Sequence, residues 1–163
     1  MSTKKIAVLK NEIEKSLEVL ARLQDFINEY RKGKIVVEIR GIEEAMVIAQ
    51  SMTNYYTCVE TIFLRISRFF ENNLSKDHWH QELLDRMTIE IGGIRKAVIT
   101  DDVKDALTEI LKFRHFTRYY FELNYDWDKL DYLLKKFDHV KEALPVQIRK
   151  FVMFLDELSV KEY

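Results

Sequence analysis

The scarcity of helix-breaking residues is the feature that most constrains the fold of this chain. Its 163 residues include four glycines and one proline, too few for the many turns of a β protein. Apolar residues instead recur every three or four positions along most of the sequence, which is the spacing of one face of a packed helix. The sequence therefore predicts an all-α fold, an antiparallel bundle of four long helices and one short helix, in a single domain spanning residues 1–163.

The charge balance limits how the chain can bind a nucleic acid. Lys and Arg number 26 and Asp and Glu number 27, which gives a formal net charge of −1. Proteins that hold nucleic acid through their overall charge usually carry a cationic excess. Any contact with RNA is therefore expected to be local.

The sequence shows no sign of secretion or of a membrane span. Residues 1–22 form a charged amphipathic segment rather than a signal peptide, and no run of about 18 apolar residues occurs. The lone Cys58 excludes an internal disulfide and is expected to be a packed thiol in a reducing cytosol. A cytoplasmic protein is therefore predicted.

Five amphipathic segments are expected to form the helices. Their predicted positions are Thr3–Tyr30, Ile42–Asn72, a short helix capped by Asp77 and ended by Gly92-Gly93, Asp101–Phe121 capped by Thr100 or Asp101, and Asp126–Leu158. Gly33 fits a C-terminal cap for the first helix, and IVVEI at residues 35–39 could be a short extended stretch. Pro145 should kink or split the last helix because proline lacks a backbone N–H.

Two arginines interrupt the apolar face of the segment from Asp101 to Phe121. That face carries Val103, Ala106, Leu107, Ile110, Leu111, Phe113, Thr117, Tyr120 and Phe121. Arg114 follows Ile110 by four positions and Arg118 follows four later, so both guanidinium groups are expected along the seam of the bundle. Arginine keeps its charge, and it must therefore reach water, pair with a carboxylate, or hold an anion such as phosphate. Glu60, on the otherwise apolar second segment, could be the carboxylate partner of either arginine.

Three stretches resemble one family of helical proteins. They are the run from Asn54 to Ile62, the Trp79-His80 pair, and the run from Arg114 to Phe121 followed by Asp126-Trp127. In this order along the chain they resemble HepT-like HEPN-domain proteins, the toxin half of HepT/MntA-type toxin–antitoxin pairs. The resemblance implies a HEPN-like helical bundle over essentially the whole chain.

The motif of that family is degenerate in this chain. The motif is Arg, four residues, His, one residue, Tyr, with a polar residue often following the Arg. Arg114 and His115 match the first two features, whereas Tyr119 stands at the His position and Phe121 at the Tyr position. In the family the Arg and His act together across a homodimer as a metal-independent endoribonuclease. The resemblance therefore implies Arg114, His115 and Tyr119 as a degenerate catalytic set.

The replacement of the motif histidine predicts that cleavage is lost or weakened. Tyrosine, with a pKa near 10, is a weak base at neutral pH, whereas histidine, near 6.5, can both take and give a proton. His115 points about 100° away from Arg114 on the helix, although it shares a face with Tyr119. Phe121 also lacks the hydroxyl that a nucleotidyltransferase partner can adenylylate in the family.

The resemblance also implies partners. These are a second copy of the chain, a minimal nucleotidyltransferase antitoxin, and RNA. Arg114, Arg118 and Tyr120 would hold RNA or another anion, because aromatic rings beside arginines can stack a base and hold its phosphate. The side chains expected at a dimer interface are Lys112, His115, Phe116 and Tyr119; cover by the C-terminal helix is the alternative.

Signatures of other chemistry are missing from the sequence. His78 and His80, two positions apart, face different sides of a helix, unlike the histidine pair of a zinc helix. Gly92-Gly93 has neither the Lys nor the Ser or Thr of a P-loop. No metal or cofactor is predicted. The favoured function is a binding role in a toxin–antitoxin-like system with cleavage lost or weakened. The alternatives are an active ribonuclease that uses Arg114 with His115 or Arg118, and a helical adaptor without an RNA role.

Overall fold

The computed structural model describes residues 2–34 and 40–160, and within them the protein is all-α. Its helices are α1 (Thr3–Lys34), α2 (Ile42–Phe70), α3 (Trp79–Met87), α4 (Asp101–Thr117) and α5 (Trp127–Val160). The predicted bundle of four long helices and one short helix is confirmed. The possible extended stretch IVVEI lies outside the described residues.

Cross-helix contacts show that neighbouring long helices run in opposite directions. Between α1 and α5, Lys10 pairs with Asp156 at 2.9 Å and Arg31 pairs with Asp138 at 2.7 Å. The residue that lies later in α1 thus pairs with the residue that lies earlier in α5, so the two helices are antiparallel. The same order holds for Ser16 with Cys58 and Gln24 with Tyr55 between α1 and α2, and for Asp102 with His139 and Phe116 with Lys129 between α4 and α5.

The central element of the bundle is α2, which packs against all four other helices. Tyr55 is fully buried on it, and its ring meets Phe137 of α5 edge-on at a centroid distance of 5.2 Å. The buried residues of α2 cover a broad apolar arc, which includes Ala45, Ile48, Ala49, Met52, Tyr56, Val59, Ile62, Phe63 and Ile66. None of the helices within residues 2–34 and 40–160 combines the length and the hydropathy of a transmembrane segment.

Pro145 does not split α5, which runs through it without a break. Because proline has no N–H, the carbonyl of Lys141, four residues earlier, lacks its usual helical donor. Gln24 of α1 supplies one, since its Nε2 donates to the Lys141 oxygen at 3.1 Å and to the Tyr55 hydroxyl at 3.3 Å. A neighbouring helix thus satisfies the backbone group that the proline leaves unpaired.

Several helix ends differ from the prediction. α1 continues through Gly33 to Lys34, so Gly33 is not a cap beyond the helix. His78, in the left-handed region at φ 59°, is the N-cap of α3, and the predicted Asp77 cap is wrong. α3 also ends at Met87, before Gly92-Gly93.

A buried arginine explains why the chain turns back after α3. Arg95 is 2% exposed, and its Nε donates to Glu71 at 2.5 Å. Its terminal nitrogens donate to the carbonyl oxygens of Ile89 and Arg86, both at 2.9 Å. A continued helix would carry Arg95 away from these acceptors, and an unpaired guanidinium in the interior is costly. The loop therefore wraps around this side chain.

α4 ends at Thr117, one turn before the predicted end at Phe121. The N–H of Tyr119 donates to the carbonyl of Phe116 at 3.2 Å, a tightened bond typical of a last turn. The Thr117 hydroxyl also donates to the carbonyl of Arg114 at 2.8 Å, which competes with the helical bonding of that carbonyl. As a result Tyr119 and Phe121 project from the following turn and are 80% and 86% exposed.

Candidate functional site

Arg114 and Glu60 form a buried ion pair between α4 and α2. Their residues are 4% and 7% exposed. Nη2 of Arg114 lies 3.1 Å and 3.0 Å from the two carboxylate oxygens, and Nη1 donates to the Thr57 hydroxyl at 3.1 Å. The guanidinium carbon lies 4.7 Å from the centre of the Tyr56 ring, within the range of a cation–π interaction. The pairing with Glu60 weighed from the sequence is therefore confirmed for Arg114.

Two buried polar atoms in this region have no hydrogen-bond partner among the described residues. They are Nε of Arg114 and the hydroxyl of Tyr56. Burial raises the pKa of Tyr56 far above the usual value for a phenol, and the nearby Glu60 carboxylate raises it further. Tyr56 therefore stays a neutral ring against the guanidinium and is no source of a base.

His80 of α3 completes a three-residue cluster with Glu60 and Arg114. Its Nδ1 lies 2.7 Å from Oε2 of Glu60 and 3.1 Å from Nη2 of Arg114. Arginine can only donate and an ionised carboxylate can only accept. The shorter contact therefore assigns the Nδ1 proton to the bond with Glu60, which leaves Nε2 as the ring nitrogen that contacts neither Glu60 nor Arg114. Nothing in the sequence linked His80 to Glu60; the Trp79-His80 pair supported only the family resemblance.

His115 lies at the outer edge of the cluster. Its ring meets the His80 ring edge-on at 5.2 Å, while the other neighbour of His80 is Trp79, stacked at 3.7 Å. Desolvation by burial lowers the pKa of His115, and the neighbouring His80, Arg118 and Arg114 lower it further against the opposing effect of Glu60. This imidazole is therefore neutral at pH 7.

The remaining members of the predicted catalytic and anion-binding sets lie outside the cluster. Tyr119 projects from the turn after α4. Among the described residues, it forms no hydrogen bond with Arg114. The Tyr120 hydroxyl donates to the carbonyl of Asn124 at 2.7 Å, and its ring packs between Phe116 and Tyr125 at 4.8 Å and 5.2 Å. The structure therefore separates Arg114 from both tyrosines.

Arg118 follows the last residue of α4 and is exposed, so the expectation that both arginines lie in the buried seam is correct only for Arg114. It borders a cleft of about 580 Å³ between α2, the end of α1 and the turn after α4. We call this the Arg118 cleft. Its other lining residues are Phe26, Met46, Val47, Ala49, Gln50, Ser51, Thr53, Asn54, Thr117 and Tyr125. Among the described residues, no carboxylate forms an ion pair with Arg118.

Of the predicted interface side chains, Lys112, His115 and Phe116 lie on α4, and Tyr119 lies in the turn after it. Lys112 is exposed and pairs with Glu109 at 3.0 Å. Phe116 is 39% exposed, and Nζ of Lys129 from α5 lies 4.2 Å from the centre of its ring. The C-terminal helix thus covers part of this surface, and its use by a second copy of the chain stays a prediction. Over residues 2–34 and 40–160, no three His, Cys, Asp or Glu side chains converge as metal ligands would.

The architecture is that of a helical bundle in which an arginine of the fourth helix is held in the interior by a glutamate of the second. A family model of HepT-like proteins matches residues 47–155, more than half of the chain. The chain therefore belongs to the HepT-like family, as the sequence resemblance predicted, and at the level of the family it is a HEPN-type protein of toxin–antitoxin-like systems. No curated protein and no solved structure matched the chain.

Proposed function

We propose that this chain is an RNA-binding member of a toxin–antitoxin-like system in which ribonuclease cleavage is lost or weakened. The observation that carries the binding role is the Arg118 cleft. It combines a guanidinium that no described carboxylate neutralises with the amides of Gln50 and Asn54 and the rings of Phe26 and Tyr125. Unpaired nucleotides are recognised by this combination, through stacking on rings, hydrogen bonds to base edges and charge on the phosphate.

The location of the cleft supports the same role. Arg118 lies one turn beyond Arg114, and Asn54 lies one turn before Thr57, the residue that binds Arg114. The cleft therefore adjoins the Glu60–His80–Arg114 cluster along the seam of α2 and α4. A nucleotide in the cleft would place its phosphate at Arg118, with the neighbouring nucleotide beside the cluster.

The state of Arg114 supports the loss of cleavage. Its charge is neutralised by Glu60, and its side chain is 4% exposed. A phosphate could reach this guanidinium only by displacing the carboxylate from a buried pair, which is costly. Tyr119, at the position of the motif histidine, is a phenol in open solvent, so the usual proton carrier of the family is not supplied there.

A second candidate function, a metal-independent endoribonuclease, is favoured by one specific observation. Nδ1 of His80 lies 3.1 Å from Nη2 of Arg114 and is bound by Glu60. Nε2 is then the ring nitrogen that could accept a proton as a general base. In this mechanism His80 would accept the proton of the attacking ribose hydroxyl, and Glu60 would orient the ring. The family context also supports a homodimer and a minimal nucleotidyltransferase partner as proposals.

RNA binding is tested with fluorescently labelled single-stranded oligonucleotides and the purified protein. Arg118→Ala should weaken the affinity about tenfold or more, as expected for the loss of a charged hydrogen-bonding group. Arg149→Ala is the matched control, because Arg149 is also exposed but lies on α5, away from the cleft. Binding that is unchanged by Arg114→Ala and Arg118→Ala would instead favour the adaptor function.

Cleavage is tested on the same oligonucleotides in the presence of a metal chelator. The proposal predicts bound but intact RNA. Cleavage that disappears in Arg114→Ala and His80→Ala, and persists in His115→Ala, would establish the second candidate. Solution mass measurement and co-purification with a small nucleotidyltransferase test the two proposed protein partners.

A further inference from the structure

A second cationic surface lies on the other side of the cluster, away from the Arg118 cleft. We propose that this surface holds the phosphodiester backbone of the single-stranded RNA beyond the nucleotide in the cleft. This inference rests on the proposed RNA-binding function and extends it to a second contact region. We call the region the α1–α2 groove and define it by the cavities described next.

The α1–α2 groove consists of two cavities that share Arg68. The larger, of about 680 Å³, lies between the start of α1 and the end of α2 and is lined by Lys4, Lys5, Val8, Leu9, Glu12, Arg65, Arg68 and Phe69. The smaller, of about 360 Å³, lies at the end of α2 and is lined by Leu64, Ser67, Arg68, Asn72, Leu74, Ser75, Lys76 and Trp79. Because Arg68 borders both, the two cavities lie next to each other along the end of α2.

The charge of this groove differs sharply from that of the whole chain. Its cations are Lys4, Lys5, Arg65, Arg68 and Lys76, and its lining contains a single carboxylate, Glu12. The net charge of the chain is −1. Glu12 lies 3.9 Å from Arg65, but no described carboxylate forms an ion pair with the other four cations. These four charges are therefore available to an anionic ligand.

The apolar lining of the groove suits a nucleic acid strand. Val8, Leu9 and Phe69 line the larger cavity, and Trp79 lines the smaller one. Such aromatic rings can stack bases while the surrounding cations contact phosphates.

Trp79 connects the groove to the candidate site. Trp79 lines the smaller cavity, and its ring stacks on the His80 ring at a centroid distance of 3.7 Å. His80 in turn contacts Glu60 and Arg114. The Arg118 cleft adjoins the same cluster from α2 and α4. A strand bound in the cleft can therefore continue past His80 and Trp79 into the groove.

The test compares RNA lengths and two matched triple variants. Lys5→Gln with Arg68→Gln and Lys76→Gln removes from the groove three exposed cations that pair with no described carboxylate. Lys135→Gln with Arg149→Gln and Lys150→Gln removes the same three charges from exposed positions on α5. Each variant is measured with single-stranded oligonucleotides of about five and about twenty nucleotides at several salt concentrations. Circular dichroism checks that both variants remain folded.

We expect the groove variant to weaken binding of the long oligonucleotide about tenfold or more and to leave the short one unchanged. Its salt dependence should also flatten by a slope of about 2, since each lost phosphate contact with a single strand contributes about 0.7. The α5 variant should bind both lengths like the wild type. Arg118→Ala should weaken both lengths.

Three results would overturn the inference. Equal losses in the groove and α5 variants would mean that general charge, not the groove, attracts RNA. Full affinity in the groove variant together with a loss in Arg118→Ala would exclude the groove and leave the proposed function unaffected. No binding of either oligonucleotide by the wild type would remove both the inference and the proposed function.

Discussion

Glu60 holds Arg114 in the interior of the bundle through contacts of 3.0 Å and 3.1 Å to a single guanidinium nitrogen. The pair joins α2 to α4, and His80 adds α3 through its own 2.7 Å contact with the same carboxylate. Three helices therefore meet at one carboxylate. Because both charges are almost fully buried, each depends on the other to offset its loss of hydration.

Removal of one member of this pair should be far more harmful than removal of both. Glu60→Leu leaves the Arg114 charge buried without its carboxylate, and we expect it to lower the free energy of unfolding by about 3–5 kcal/mol. Glu60→Leu combined with Arg114→Met should recover most of that loss, since two apolar side chains of similar volume need no partner. Urea unfolding of both variants measures the difference. A double variant as unstable as Glu60→Leu alone would show that the pair is not the cause.

The amide of Gln24 provides a second test, at the point where Pro145 removes a helical donor. Gln24→Leu should lower the free energy of unfolding by about 1–3 kcal/mol, because the half-buried carbonyl of Lys141 loses its donor. In a Pro145→Ala background the same change should cost much less, since an alanine at that position can donate its own N–H to the carbonyl. Tyr55→Phe separates the contribution of the 3.3 Å contact between Gln24 and the Tyr55 hydroxyl. Equal costs of Gln24→Leu in both backgrounds would contradict this account.

His115 should make the protein less stable as the pH falls. Its pKa is lowered in the folded state, first by desolvation and then by His80, Arg118 and Arg114, with Glu60 opposing. Below the unfolded value near 6.5 the unfolded chain therefore binds a proton that the folded chain resists, and stability declines until the pH passes the folded pKa. His115→Gln should show a smaller decline between about pH 7.5 and pH 5.5 in urea unfolding. An NMR titration that places the pKa of the His115 imidazole above about 6.5 would reverse the sign.

The sequence predicted the helices well because apolar spacing dominates long segments. The bounds of α2 and α5 were correct to within two residues. Charges on apolar faces indicated Glu60 as a possible partner of Arg114 or Arg118, and the structure shows that the partner is Arg114. Tertiary partners explain the errors. The carbonyl that Pro145 leaves without a helical donor accepts a hydrogen bond from Gln24 on another helix. The buried contacts of Arg95 require the chain to leave the helical path of α3 before Gly92-Gly93. Such partners lie far away in sequence, so local spacing does not reveal them.

The sequence predicted only part of the candidate site for the same reason: Arg114 and Glu60 were identified, but His80 was not linked to them. A helix extended to Phe121 would have placed His115 and Tyr119 on one face, but the hydroxyl of Thr117 binds the Arg114 carbonyl and α4 ends there. His80 came from a different helix, and its two contacts depend on how α3 crosses α2 and α4. The resemblance had pointed to the Trp79-His80 pair without giving it a chemical role.

The early end of α4 leads to a prediction about restoring the family motif. Tyr119→His recreates the motif histidine in sequence, yet residue 119 is 80% exposed in the turn after α4 and lies outside the Glu60–His80–Arg114 cluster. We therefore expect this variant to show no more cleavage of single-stranded RNA than the wild type in the presence of a chelator, because proton transfer requires a base within hydrogen-bonding reach. Tyr119→Gln controls for loss of the phenol. A clear gain of cleavage in Tyr119→His alone, absent in Tyr119→Gln and abolished by adding Arg114→Ala, would show that the turn brings residue 119 to Arg114 when RNA binds.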